Sequence, residues 1–149
     1  MCGWGGQVVG ATKQALMDCY ETNAVGPLIL TQGLLPLLAA SSLKKVLVVS
    51  SMMGSLELTT EGGSISYRAS KAGANMVTKC MAGELNASHG LVCCMVHPGW
   101  VATEMGSAGN RAPPVQPAES VKGMLALIDM MEPGINGTFW DWNCKPMPW

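Results

Sequence analysis

The sequence has few charges and no long uninterrupted apolar run. Charged residues make up 13% of the 149 residues, and the net charge is −1, from nine Lys and Arg against ten Asp and Glu. A chain so close to neutral offers no basic surface for nucleic acid or for an anionic membrane. No stretch reaches the ~18 consecutive apolar residues of a membrane span, and the basic and apolar regions of a signal peptide are lacking. We therefore expect a cytoplasmic protein with no nucleic-acid or membrane partner.

The six cysteines lack the spacing that marks a disulfide framework or a metal site. No Cys-x-x-Cys pair occurs, and Cys93 and Cys94 are adjacent within an apolar run. The two histidines, His89 and His97, have no cysteine partners at ligand spacing. We expect buried, reduced thiols and no bound metal.

The 48% of residues that are hydrophobic suit one globular domain with a real core. Helix-compatible stretches alternate along the chain with short apolar runs. The helices are predicted at 11–40, 69–88 and 118–131, and the strands at 45–50, 91–96 and 137–142. This alternation predicts an α/β fold, a three-layer, doubly wound parallel sheet of about three strands with long flanking helices. The continuous Val and Leu run at 45–50 predicts a strand buried on both faces.

The first ten residues are rich in glycine, with a Gly-x-Gly pattern at Gly3 and Gly5. In a dinucleotide-binding loop such glycines follow a strand and open a helix. No strand precedes them in this sequence, so we predict that 1–10 is a flexible leader.

Tyr67 and Lys71 lie four residues apart at the start of the helix-compatible segment 69–88. If this stretch is helical, the two side chains share one face. A phenol ionises near pH ~10, and a neighbouring ammonium lowers that pKa, which would make the pair a general acid/base unit. The spacing alone also fits an ordinary exposed pair.

Ser51 and Asn23 are polar residues in places where a polar function is plausible. Ser51 follows the apolar run 45–50, and ligands of open α/β sheets bind at the carboxyl ends of strands. Asn23 falls inside the predicted helix 11–40, where asparagine has a poor intrinsic propensity. The ordinary alternatives are a serine that ends a strand and a tolerated surface asparagine.

A second strand end carries the segment from His97 to Thr103. Pro98 and Gly99 stop the strand and turn the chain. His97 fits a structural residue before proline better than an acid/base, and Thr103 alone fits a loop residue.

Taken together and in order, these motifs resemble the short-chain dehydrogenase/reductase family. The resemblance rests on Asn23, Ser51, Tyr67-x-x-x-Lys71 and Pro98-Gly99-x-x-x-Thr103. Local details, Tyr67-Arg68-x-Ser70-Lys71 and His97-Pro98-Gly99-Trp100, resemble its sniffer and C-factor-like carbonyl reductase branch. The resemblance extends from residue 11 to residue 149.

The resemblance implies an oxidoreductase that transfers hydride between NADP or NAD and a small carbonyl or alcohol substrate. It implies Tyr67 as the proton donor and Lys71 as the residue that lowers its pKa. It implies Ser51 as the group that orients the carbonyl and Asn23 as the end of a proton relay. The cofactor-binding residues that it implies are Tyr67, Lys71, Pro98, Gly99, Val101 and Thr103.

Members of this family carry a further glycine-rich region ahead of these motifs, which holds the cofactor's pyrophosphate at a helix N-terminus. This sequence lacks it, so we expect 1–149 to form one partial, N-terminally truncated Rossmann-like domain with an incomplete cofactor site. The alternative is a catalytically inactive truncated product that acts as a dimerising interaction module. Family dimers pair through two long helices, here near 23–40 and 69–88, so we expect a homo-oligomer.

Overall fold

A computed structural model describes residues 7–149, and helices alternate with strands as predicted. The elements are α1 Lys13–Tyr20, a π-helix Glu21–Val25, α2 Gly26–Ala40, β1 Lys45–Val49, α3 Ile65–His89, β2 Val92–His97, α4 Glu104–Ser107, α5 Pro117–Met130 and β3 Phe139–Asp141. Short 3-10 turns occur at Val8–Gly10, Met52–Gly54 and Pro133–Ile135. Most of the predicted leader lies outside the described residues, and its flexibility stays a prediction.

The three strands form one parallel sheet in the order β1-β2-β3. Lys45 is opposite Val92, and Met95 is opposite Phe139. Because all three strands run in the same direction, their carboxyl ends meet at one edge of the sheet. The prediction of a parallel sheet with about three strands is confirmed.

Helices cover both faces of this sheet, which confirms the doubly wound, three-layer arrangement. On one face Val46 and Cys93 pack against Met81 and Ala82 of α3 and Leu28 of α2. On the other face lies a second cluster, formed by Leu47, Val92, Cys94, Ile128, Met131 and Ile135. The strand order proceeds in one direction while α3 and α5 lie on opposite faces. The two crossovers therefore have opposite hands, and one of them departs from the usual right-handed rule.

The first strand is less buried than its sequence predicts. Within β1 only Val48 is buried, and Val49 is 49% exposed. The prediction of a strand buried on both faces is therefore wrong for 45–50. β1 is an edge strand of the sheet. The central strand β2 is covered by helices, and Val92–Val96 is buried throughout.

The central helix α3 begins four residues before its predicted start. Ser64 precedes it in the left-handed region, at φ 50°, and Ile65 opens the helix. The helix ends at Gly90, a left-handed C-terminal residue of the kind that commonly stops helices. Because α3 starts at Ile65, Tyr67 and Lys71 belong to one regular helix and share a face.

The N-terminal helix runs from Lys13 to Ala40 through the π-helix. The hydroxyl of Thr12 accepts a hydrogen bond from the Ala15 backbone N at 3.2 Å and so caps the start of α1. These 28 residues are long and apolar enough to cross a membrane, judged by length and composition only. Core helices of soluble proteins pass the same test, but only 11% of the apolar window of this helix is buried. The α1 part of the Lys13–Ala40 helix packs closely on α3. A Cβ added to Gly73 would lie only 2.6 Å from the Tyr20 ring.

The expectation of reduced cysteines holds only in part. Cys80, Cys93, Cys94 and Cys144 are free. Cys19 is disulfide-bonded, so the expectation is wrong at this residue. Pairing depends on how the fold brings two cysteines together, which spacing along the sequence does not reveal.

Candidate active site

The carboxyl ends of β1 and β2 border a cavity of about 600 Å³. Six of the eight site residues that the sequence suggests line it, namely Ser51, Tyr67, Pro98, Gly99, Val101 and Thr103. Asn23 and Lys71 are not among its lining residues. The cavity is therefore lined by the segments that follow β1 and β2 and by the first turn of α3.

Ser51 and Tyr67 both line the cavity, and the Ser51 side chain is close enough to lower the pKa of the Tyr67 phenol. The Ser51 hydroxyl also accepts a hydrogen bond from the Met53 backbone N at 3.2 Å and so caps the turn Met52–Gly54. This turn lies directly on α3. A Cβ on Gly54 would come within 2.7 Å of the Lys71 carbonyl carbon. Glycine at this position lets the turn approach the helix, which holds the serine beside the phenol.

Lys71 is buried, with 8% of its surface exposed, and its ammonium donates to the Val49 carbonyl oxygen at 2.9 Å. Its nitrogen lies 5.7 Å from the centroid of the Tyr67 ring. Burial lowers the pKa of Lys71 from its ordinary 10.5. Burial also raises the pKa of Tyr67 above 10.0, against the weaker lowering effect of the Ser51 hydrogen bond. The expected lowering of the Tyr67 pKa by Lys71 is not met, because burial is the largest influence.

Asn23 lies in the π-helix and contacts the neighbour of Lys71. Its amide nitrogen donates to the Ser70 hydroxyl at 2.9 Å, and this hydroxyl donates to the Tyr67 carbonyl oxygen at 2.8 Å. Within residues 7–149 no hydrogen bond joins Asn23 to Lys71. Asn23 is therefore placed to fix the backbone at Tyr67 by way of a buried serine.

The segment that follows β2 is held by several local contacts. The Thr103 hydroxyl caps α4 by accepting from the Gly106 backbone N at 3.2 Å, and the Trp100 ring nitrogen donates to the Gly106 carbonyl at 3.0 Å. Val101 forms a parallel bridge with Val115. These contacts give the second wall of the cavity a defined shape.

His97 ends β2 and lines the cavity. Its Nδ1 is buried and has no hydrogen-bond partner within the described part of the chain. Burial lowers the pKa of His97, and the nearby Asp141 carboxylate partly opposes this effect. A neutral imidazole agrees with its predicted structural role.

Several lining residues were not singled out from the sequence. Four methionines form much of the apolar wall, namely Met52, Met53, Met105 and Met124. Met52 and Met53 directly follow Ser51, and Met105 comes shortly after Thr103. Closeness to the motifs was therefore the sequence signal that could have identified these three as lining residues. Ser70 was quoted within the resemblance but not recognised as the partner of Asn23, because spacing of 47 residues gives no contact.

Comparison with known proteins identifies the family. Residues 3–113 match the model of the short chain dehydrogenase family. The C-signal protein of Myxococcus xanthus is 41% identical over 130 residues, which cover 87% of this chain and 76% of that protein. The chain therefore belongs to the short-chain dehydrogenase family.

Solved structures similar to this chain include two carbonyl reductases. One is the NADPH-bound carbonyl reductase from chicken fatty liver, with a TM-score of 0.87 and 33% identity. The other is the carbonyl reductase Sniffer of D. melanogaster, with a TM-score of 0.87 and 29% identity. In both cases the match covers 97% of this chain and 61% of the other. The long helix Lys13–Ala40 thus falls inside a region shared with these reductases.

Proposed function

We propose that residues 1–149 form the catalytic part of an NADP- or NAD-dependent carbonyl reductase, acting in the cytoplasm on a small carbonyl or alcohol. The observation that carries this proposal is that Ser51 and Tyr67 line the same cavity, with the serine close enough to lower the pKa of the phenol. The two hydroxyls can contact one carbonyl oxygen together. The NADPH bound to the chicken enzyme supports the choice of cofactor.

The residues present fit the nicotinamide end of such a cofactor. The cavity has room for a ring beside the substrate, and Pro98, Gly99, Val101 and Thr103 line the side that faces Ser51 and Tyr67. The family resemblance implies that Lys71 would contact the ribose, but Lys71 does not line this cavity and its ammonium donates to the Val49 carbonyl oxygen. The sequence contains no Gly-x-x-x-Gly-x-Gly run to hold the pyrophosphate. When bound, the nicotinamide supplies or accepts a hydride.

In the proposed mechanism the protein orients the carbonyl and moves one proton. Ser51 donates a hydrogen bond to the carbonyl oxygen, which holds it close to the phenol. Tyr67 is protonated at neutral pH, because burial raises its pKa, and it gives its proton to the developing alkoxide. Asn23 supports this geometry through Ser70 and the Tyr67 carbonyl. The methionines give the cavity an apolar wall beside the reacting atoms.

The proposal is tested with purified protein, NADPH or NADH, and a panel of small aldehydes and ketones. Cofactor binding is followed by the fluorescence of the reduced nicotinamide, and turnover by its oxidation. We expect saturable binding, and a loss of turnover of about 10²–10⁴-fold in Tyr67→Phe, the range for general acid catalysis. A variant outside the cavity, Tyr20→Phe, is the control. Turnover that Tyr67→Phe leaves unchanged contradicts the assignment of the acid.

A second candidate, a dimerising interaction module, is supported by the apolar surface of α2 and α3. Several large side chains there are more than half exposed, namely Ile29, Leu30, Leu37 and Met76. Exposed apolar surface of this kind favours association with a second copy. The module requires no cofactor. An oligomer that binds neither NADPH nor NADH therefore supports this candidate over the reductase.

A further inference from the structure

Trp149 joins three separate parts of the molecule. Its ring stacks on Phe139 of β3 with the ring centroids 6.0 Å apart and an angle of 21° between the planes. The ammonium of Lys79, on α3, lies 5.5 Å from the centroid of the Trp149 ring. The Trp149 carbonyl oxygen accepts a hydrogen bond from the Glu57 backbone N at 2.8 Å. The residue thus connects the last strand and the central helix to a loop far away in sequence.

The partners of Trp149 are themselves firmly placed. Phe139 is buried, with 1% of its surface exposed, and it is the chain's single phenylalanine. Lys79 donates to the Gly137 carbonyl oxygen at 2.8 Å, which fixes its ammonium beside the start of β3. The Met147 backbone N donates to the Phe139 carbonyl oxygen at 2.8 Å and holds the segment before Trp149 against β3. The residues that contact Trp149 are therefore themselves held in place by other contacts.

The loop that Trp149 reaches is exposed, and apart from the Trp149 contact it is held mainly by hydrogen bonds within 55–59. Residues 56–62 are exposed, including Leu56 at 79%. Its other hydrogen bonds are short-range. The Ser55 hydroxyl accepts from the Leu58 backbone N at 3.2 Å, and the Thr59 hydroxyl donates to the Ser55 carbonyl oxygen at 2.6 Å. The Thr59 backbone N donates to the Leu56 carbonyl oxygen at 3.2 Å, and Arg68 donates to the Thr59 hydroxyl at 3.3 Å. The Glu57 contact is the one described backbone hydrogen bond that connects this loop to the last segment of the chain.

The same loop continues directly from the wall of the cavity. Ser51, Met52 and Met53 line the cavity, and Ser55 follows after Gly54, which rests on α3. One residue, Leu56, separates Ser55 from Glu57. A displacement of Glu57 is therefore transmitted over a few residues to the methionines that face the substrate.

We propose that Trp149 is a positioning residue for the candidate active site, which clamps the loop at 55–59 and so fixes the Met52 and Met53 wall. This inference rests on the proposed reductase function for its consequence, whereas the clamp itself can be measured without cofactor. Loss of the ring releases the segment from Phe139 and Lys79 and, with it, the carbonyl that holds Glu57. The cavity wall then becomes mobile while the sheet stays intact.

The test compares the wild-type chain with Trp149→Ala and with Trp149→Phe, which keeps an aromatic ring to stack. Amide hydrogen exchange of the whole chain is measured by peptide mass spectrometry. In Trp149→Ala we expect exchange at 55–59 to be roughly tenfold faster, as for a loop that loses its tether, with no change in β2. Trp149→Phe should restore slow exchange. Unchanged exchange at 55–59 in folded Trp149→Ala, or failure of Trp149→Phe to restore it, overturns the clamp.

A second variant covers the case in which Trp149→Ala does not fold, which faster exchange across β2 would reveal. Lys79→Met keeps the aliphatic stem and removes the charge over the ring, so exchange at 55–59 should rise by a smaller factor. If amide exchange at 55–59 does not rise in Lys79→Met, that result counts against the proposal.

A separate measurement concerns the reaction. In an active protein Trp149→Ala should raise the KM for the carbonyl several-fold and leave NADPH affinity unchanged. A wild-type chain with a protected loop but no NADPH binding refutes the reductase and leaves the clamp standing. A wild-type chain that binds NADPH but has an unprotected loop refutes the clamp alone.

Discussion

The ammonium of Lys71 donates to the Val49 carbonyl oxygen at the end of β1, over a distance of 2.9 Å. This bond ties α3 to the edge strand at the point where Ser51 follows. The nitrogen remains 5.7 Å from the Tyr67 ring centroid, within the range of a cation–π contact. Burial of Tyr67 outweighs every other influence on its pKa. Four predictions follow from these and related contacts.

The first prediction concerns stability in alkali. The pKa of Tyr67 is raised in the folded state, so its neutral form contributes stability that is fully present below pH 10.0 and is lost as the pH rises through the folded pKa. Lys71, with a lowered pKa, has the opposite effect on approach to pH 10.5. Comparison of the wild type with Tyr67→Phe isolates the tyrosine contribution. The wild type should lose stability relative to Tyr67→Phe as the pH is raised above 10.0, as measured by urea unfolding. Tyr20→Phe is the control, and parallel pH curves for wild type and Tyr67→Phe contradict the prediction.

The second prediction concerns the hydrogen bond between Asn23 and Ser70. Asn23→Ala and Ser70→Ala each remove one partner, and the double variant removes both. A net hydrogen bond contributes about 1 kcal/mol, so the double-mutant cycle should give a coupling of roughly this size in urea unfolding. Additive effects of the two single changes would mean that the 2.9 Å contact contributes no stability.

The third prediction compares two glycines. In Gly54→Ala the new Cβ would lie 2.7 Å from the Lys71 carbonyl carbon and 2.9 Å from the Ala72 backbone N, and backbone atoms cannot move aside cheaply. We expect a loss of about 1–3 kcal/mol in the free energy of unfolding. Gly33→Ala, in the exposed part of α2 with open space around the Cβ, should gain up to about 1 kcal/mol. Thermal or urea unfolding measures both, and equal effects of the two changes would be inconsistent with the packing of the turn on α3.

The fourth prediction concerns association through α2 and α3. Leu30 is 63% exposed on α2, and Leu30→Glu places a charge on the proposed contact surface. Light scattering should show an oligomer for the wild type and a smaller species for Leu30→Glu.

The matched control is Leu125→Glu on α5, where the leucine is similarly exposed. Cys80 lines the groove between α2 and α3, so it should react faster with a thiol reagent in Leu30→Glu than in the wild type. A monodisperse wild-type monomer argues against the interface.

The order of elements and the layered architecture could be predicted from sequence, because they depend on local periodicity and on the alternation of helix and strand. The start of α3 was misplaced because Ser64, although serine is favoured at helix N-caps, occupies a left-handed conformation that the sequence does not reveal. Burial of 45–50 was overestimated because an apolar run does not reveal that its strand lies at an edge.

The candidate site was predictable where its residues occur in short motifs. Ser51, Tyr67 and Thr103 do line one cavity. The role of Ser70 and the attachment of Lys71 to Val49 depend on contacts between elements, which no local pattern encodes. The disulfide at Cys19 belongs to the same category.

Because the two crossovers have opposite hands, α3 and α5 lie on opposite faces of the sheet. The sheet therefore separates two apolar clusters. One includes Met81 and Cys93 beneath α2 and α3, and the other includes Cys94 and Met131 beside α5. Each can loosen without opening the other, so local unfolding should occur in two cooperative units and not in one. The α5 side carries one wall of the cavity, and its fluctuations would open the site while the Ser51 and Tyr67 pair stays in place.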